Sequence, residues 1–238
     1  MSELVGYALD GPVATITMDD GKVNALSVPM LKALHGALDR AEQDKAVVVL
    51  TGREGFFSAG FDLKVFASGD TDLVLEMLTL GATLCERILS FGRPVVVACT
   101  GHAVAAGVFI PLVADARIGV EGPYQLGLNE VRIGLTVPWF AIEIARQRLH
   151  PAHFDRAVIS AVMYDPPEAL AAGFLDRVVA PAVLAEQALD AAAALAELNP
   201  AAHAATKLRV RGGALEALRA AIASELTPAG MAGAKAMA

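Results

Sequence analysis

The sequence predicts an α/β fold of mainly parallel strands covered by helices, followed by a helical region toward the C-terminus. Three observations carry this. Residues 46–50 and 94–99 are apolar runs without polar alternation, as strands buried on both faces require, and residues 116–120 are again strand-like. Between them lie segments whose apolar residues recur at helical spacing. Strand, helix, strand in that order calls for parallel pairing with right-handed crossovers.

Each element has its own local signal. Leu4 to Leu9 and Val13 to Met18 are β-rich runs joined by the turn dipeptide Asp10-Gly11. Ser27 is an N-cap candidate and Pro29 suits a first turn; Leu31, Leu34, Leu38 and Ala41 then share one helical face. Ala46 to Leu50 is the next strand. Leu73, Met77, Leu80, Leu84 and Ile88 mark a helix over Asp72 to Leu89, and Pro94 to Cys99 is again a strand. Thr100-Gly101-His102 reads as a turn, Ala105 to Leu112 as a short buried helix, and Ala116 to Val120 as a strand. Beyond Gly134 the pattern is helical over residues 139–148, 152–163, 167–172 and 181–198, with a short strand at 176–179. Asn199-Pro200 breaks the chain, Ala204 to Leu226 is helical, and Thr227 to Ala238 has no clear face and reads as a loose tail.

Composition narrows the function. With 238 residues, 55% hydrophobic and 19% charged, the chain can bury a large core and is not disordered. Aromatics are only 5%, so Ala, Val, Leu and Ile must fill that core. A net charge of −7 disfavours nucleic acid, whose phosphates need a basic face. Cys85 and Cys99 sit in apolar segments, with no CxxC or Cys/His cluster to hold a metal, and fit a reducing compartment. The apolar run 103–114 is too short for a bilayer, which needs roughly 20 residues, and the first residues lack a secretory signal pattern. A soluble, cytoplasmic protein with no membrane partner is expected.

Chemistry concentrates in Phe56-Phe57-Ser58-Ala59-Gly60-Phe61-Asp62-Leu63-Lys64. A strand, a turn of small residues and a helix start leave backbone N–H groups pointing outward, suited to a carbonyl that becomes an oxyanion. A second turn of small residues, Ala103 to Gly107, lies downstream.

Asn24-Ala25-Leu26, Phe57 to Leu63, Gly101-His102-Ala103-Val104-Ala105-Ala106-Gly107 and Asn129-Glu130-Val131-Arg132-Ile133-Gly134 together resemble the crotonase superfamily, the enoyl-CoA hydratase/isomerase fold. The likeness covers approximately Leu4 to Val179. It implies a crotonase-like ββα spiral core over residues 1–199 that binds acyl-CoA, with a C-terminal helical segment and tail over 200–238. Coenzyme A would arrive as part of the substrate, with no separate cofactor and no metal. Family members form trimers, often paired into hexamers, and the apolar outer helices 139–163 and 204–226 agree with such an assembly.

Carried over by the resemblance, the oxyanion donors are the N–H groups of Phe61 and Ala106, and the acid/base is Glu130. Ala59, Asp62 and Leu63 match the loop that contacts CoA, and Lys22 lies where a CoA phosphate would pass. Family hydratases use two glutamates. The first of these positions is Phe109 here, which cannot move a proton and instead shapes the acyl pocket. One carboxylate suffices to move a proton from C2 to C4 of a 3-enoyl thioester, so isomerisation is preferred and hydration is the alternative. Asn129, beside Glu130, is a candidate to hold a water or the carboxylate. Lys207, Arg209 and Arg211 fall in the helical segment that covers CoA in the family, but the usual aromatic after Leu226 is missing. Two other classes stay open at this point: a serine hydrolase using Ser58 and His102, which lacks the first Gly of G-x-S-x-G, and a non-catalytic acyl-CoA binder.

Overall fold

The computed structural model describes residues 4–230. In chain order its strands are β1 (Val5–Asp10), β2 (Val13–Met18), β3 (Val47–Thr51), β4 (Gly55–Ser58), β5 (Val95–Cys99), β6 (Gly101–Val104), β7 (Ala116–Val120), β8 (Leu126–Gly127) and β9 (Arg177–Val179). The helices are α1 (Val28–Gln43), α2 (Leu63–Ala67), α3 (Thr71–Ser90), α4 (Ala106–Val113), α5 (Trp139–Arg146), α6 (Pro151–Val158), α7 (Pro166–Ala172), α8 (Leu184–Ala196) and α9 (Pro200–Glu225).

Two sheets organise the chain. The larger runs β1-β2-β3-β5-β7-β9, antiparallel at the hairpin and parallel elsewhere. Its lack of polar alternation has a direct cause. Val48 and Leu50 pack into the main core, while Val47 and Val49 face the opposite way, into a second cluster under Ala188 and Ala192 of α8. A strand covered on both faces has no use for polar residues. The smaller sheet, β4-β6-β8, is parallel throughout. Its strands come immediately after β3, β5 and β7, so each pass of the chain adds one strand to each sheet.

The smaller sheet is where the structure departs most from expectation. Of residues 100–102, read as a turn, Gly101 and His102 already belong to β6, and the loop after β3 contains β4. Two- to four-residue strands rich in glycine look like punctuation in a sequence. Here glycine serves close approach instead: a Cβ at Gly101 would lie 2.1 Å from the Gly55 carbonyl oxygen on the paired strand.

Helix ends shift for similar local reasons. The expected helix 152–163 stops at Val158, because Ala161 turns at φ 48° and Tyr164 then pairs with Leu126. A 3₁₀ turn over Pro181–Val183 precedes α8. Asn199-Pro200 begins α9 rather than merely interrupting the chain. The Asn199 side chain accepts the Ala202 N–H at 3.0 Å, and proline at the first position loses no hydrogen bond. α9 packs along α3 and α5. The tail expected over Thr227 to Ala238 lies mostly outside the described residues. Among those described, no helix is long and apolar enough to cross a membrane.

Candidate functional site

The smaller sheet places two turns side by side at the carboxyl ends of β4 and β6. Asn24 anchors the first. Buried and held at φ 53°, it donates its side-chain amide to the carbonyls of Met18, Phe56 and Phe57. Ser58 is fully buried, donates to the Asn24 carbonyl at 2.7 Å and accepts the Gly60 N–H at 3.1 Å. The chain then crosses Gly60, at φ 87°, to Phe61. The Phe61 ring packs against α3 at Gly81, where a Cβ would come within 2.5 Å of it. Glycine in mid-helix gives no sign in the sequence of this supporting role.

The second turn is more strained. Ala105 adopts φ 50°, ψ −130°, a region in which only glycine is at ease. That turn starts α4 at Ala106, whose N–H, at the first helical position, has no partner within the helix. Neither the Phe61 nor the Ala106 N–H donates to a protein acceptor among the described residues. The two turns touch backbone to backbone. A Cβ on Gly60 would sit 2.8 Å from the Val104 oxygen and 3.0 Å from the Ala106 nitrogen, and one on Gly107 would sit 2.3 Å from the Ser58 oxygen. Two open N–H groups therefore come from two loops in close contact, with only the Cβ atoms of Ala105 and Ser58 joining the main chain around the two glycines.

Glu130 reaches this place through β8. The Gly127 carbonyl accepts the Ala105 N–H at 2.9 Å, so the segment leading to Glu130 leaves the sheet beside the second turn. Glu130 is only 6% exposed, and its Oε2 is buried without a hydrogen-bond partner. Burial pushes its carboxyl up from 4.5 to about 7, against a smaller opposing pull from its own backbone N–H. Asn129 Oδ1 is likewise buried and unpartnered. Phe109 lies one helical turn beyond Ala106 and is buried edge-on against Phe140, ring centroids 6.0 Å apart. No carboxylate occupies that position.

The remaining predicted residues lie on the loops around the first turn. Ala59 is exposed, and its N–H donates to the Val23 carbonyl at 3.0 Å, which sets the Lys22 turn next to this loop. Lys22 is exposed, with its carbonyl held by Arg53 at 2.7 Å. Asp62 caps α2 by accepting the Lys64 N–H at 3.0 Å, and Leu63 is 59% exposed. Lys207 and Arg211 do not face outward as the helical segment implied. Lys207 is buried and Arg211 half-buried on Asp115, at 2.7 and 3.1 Å, and only Arg209 is exposed.

The serine hydrolase reading fails on geometry. The Ser58 hydroxyl is committed to Asn24, and His102 Nδ1 accepts the Gln125 N–H at 3.0 Å, its ring between Phe56 and Tyr124. No base is free to activate that serine.

The paired sheets and ββα turns are those of a crotonase fold, and they carry two adjoining open backbone N–H groups and a buried carboxyl. The sequence profile of the enoyl-CoA hydratase/isomerase family matches residues 9–235, and the chain belongs to that family of crotonase-superfamily enzymes. It is 50% identical to an enoyl-CoA hydratase/isomerase family protein from Pseudomonas syringae, with a TM-score of 0.92 over 94% of this chain and 96% of that one. It is 44% identical to an enoyl-CoA isomerase from Mycobacterium tuberculosis, with a TM-score of 0.90 over 94% and 98%. A probable enoyl-CoA hydratase of Bacillus subtilis is 36% identical over 143 residues, 58% of this chain and 54% of that protein's length.

Proposed function

We propose that the protein isomerises the double bond of an enoyl-CoA thioester, with Glu130 as its single acid/base. The thioester oxygen sits between the N–H groups of Phe61 and Ala106. Glu130 removes a proton from C2 of a 3-enoyl-CoA, and negative charge spreads over a dienolate whose oxygen the two donors stabilise. The same carboxyl returns the proton to C4, giving the conjugated 2-enoyl-CoA. Ala59, Asp62 and Leu63 offer backbone contacts to CoA, Lys22 meets a phosphate, and Phe109 walls the acyl chain.

One observation carries this reading: the chain holds a buried carboxyl raised to about 7, and the position one turn along α4 is phenylalanine, not a second acid. An acid near neutrality can take and give a proton with similar ease. Hydration is the second reading, favoured by the unpartnered Asn129 Oδ1, which could hold a water beside Glu130. A panel of 3-enoyl- and 2-enoyl-CoA substrates, followed by the ultraviolet absorbance of the conjugated thioester and by product mass, separates the two. Isomerisation keeps the mass and creates the chromophore; hydration adds one water and destroys it. Failure to isomerise any 3-enoyl-CoA would refute the first reading.

The assembly is a homotrimer or a pair of them. Trp139 on α5, at 61% exposure, and Val210 on α9, at 78%, are supporting apolar surface. A monomeric mass by light scattering at micromolar concentration would refute this.

A further inference from the structure

α4 carries an oxyanion donor at one end and a buried cluster of cations at the other. All eight of its residues are buried, so its terminal carbonyls have no water to turn to. Pro111 inside it removes one internal N–H as well. Side chains from elsewhere supply the donors. The Leu112 carbonyl accepts from Gln147 Nε2 at 2.6 Å and Arg148 Nε at 3.3 Å. Val113 accepts from Arg211 Nη1 at 3.3 Å, and Ala114 accepts from Arg211 Nη2 at 3.1 Å and from Arg148 Nη2.

The charge there is unbalanced. Arg117 pairs with Asp176, while Lys207 and Arg211 share Asp115. Arg148 has no carboxylate within ion-pair distance among the described residues. Four cations thus meet two anions behind the helix that points its N-terminus at the thioester oxygen. A cation on the carbonyl end cancels the negative pole of the helix, which would otherwise oppose the positive pole at Ala106.

We infer that Arg211, reaching across from α9, is a positioning residue for the oxyanion hole: it holds the carbonyl end of α4 and keeps the field at the Ala106 N–H positive. This rests on the acyl-CoA reading above. Eight residues put its charge about 12 Å from the hole, and at an effective dielectric of about 20 a unit charge at that distance changes an ionisation equilibrium about tenfold.

Acetoacetyl-CoA tests this directly. Its α-carbon, flanked by two carbonyls, loses a proton to give an enolate that absorbs in the near ultraviolet, so its apparent pKa on the protein reports the oxyanion hole without turnover. The parent should bind it and lower that pKa below the free value. Arg211→Gln should raise the bound pKa by about one pH unit, a tenfold change. Arg211→Lys, which keeps the charge but not the fork, should shift it much less. Both should bind a saturated acyl-CoA, which carries no oxyanion, within about twofold of the parent. If Arg211→Gln does not fold, Arg148→Gln carries the same expectation from the other side of the carbonyls. An unmoved enolate pKa in a folded Gln variant would overturn the inference while leaving the acyl-CoA reading intact. A parent that does not stabilise the enolate would overturn both.

Discussion

Replacing Glu130 by Gln should cost turnover and gain stability, and pH separates the two effects. In the unfolded chain a glutamate loses its proton near 4.5; in the folded protein burial holds it until about 7. The neutral form is the one the fold favours. Stability linked to this group is therefore fully present below 4.5 and lost as pH rises through 7. Two and a half pH units at 1.36 kcal/mol each make the folded parent about 3 kcal/mol less stable at pH 8 than a neutral side chain would leave it. Glutamine brings its own cost of burying an amide, but that cost does not change with pH. The quantity to measure is the stability difference between variant and parent at pH 8 minus the same difference at pH 4.5, from urea unfolding at one protein concentration. It should be about 3 kcal/mol in favour of Gln. Over the same range kcat/KM of the parent for a 3-enoyl-CoA should climb about tenfold per pH unit and level off above 7, while the variant loses about a hundredfold or more. A pH-dependent difference under about 1 kcal/mol, or a variant as fast as the parent, would refute the reasoning.

Ala106→Pro removes one oxyanion donor and should cut kcat by roughly a hundredfold or more, whereas Ala106→Gly keeps the N–H and should be mild; equal activity in two folded variants would remove the donor from the mechanism. Ala105→Gly should relieve the turn at φ 50° and stabilise the protein by about 1 kcal/mol in urea unfolding, with activity kept; a loss of stability would show that the turn is not strained. Ser58→Ala should lower stability by about 2 kcal/mol, because two buried hydrogen bonds go, yet leave turnover within severalfold. A loss of activity comparable to that of Glu130→Gln would reopen a chemical role for the serine.

The long elements were legible because burial on two faces leaves a plain mark. Val47 to Leu50 and Val95 to Cys99 are apolar throughout since helices cover both sides, and α1 and α3 keep their stripes over many turns. The smaller sheet was not legible, for β6 and β8 are too short for periodicity and use glycine for backbone contact. The site was readable as an ordered set of motifs, but not as geometry. That Glu130 is buried, that Gly81 seats the Phe61 ring and that Arg211 ends on α4 all depend on residues far apart in sequence. A lysine and an arginine on an outer helix look solvated until Asp115, nearly a hundred positions earlier, is found beneath them.

The contact of Gly60 with Val104 to Ala106, and of Gly107 with Ser58, has one more consequence. Only main chain and the Cβ atoms of Ala105 and Ser58 meet the two glycines, so the spacing of the two N–H groups is set almost wholly by backbone. Side chains at 109 and 130 can therefore change without moving those two N–H groups, whereas the Phe61 ring stays tied to Gly81. Isomerase, hydratase or some other thioester chemistry then becomes a matter of which groups are hung around an unchanging frame. The two glycines are the places where substitution is least free, though neither touches a proton.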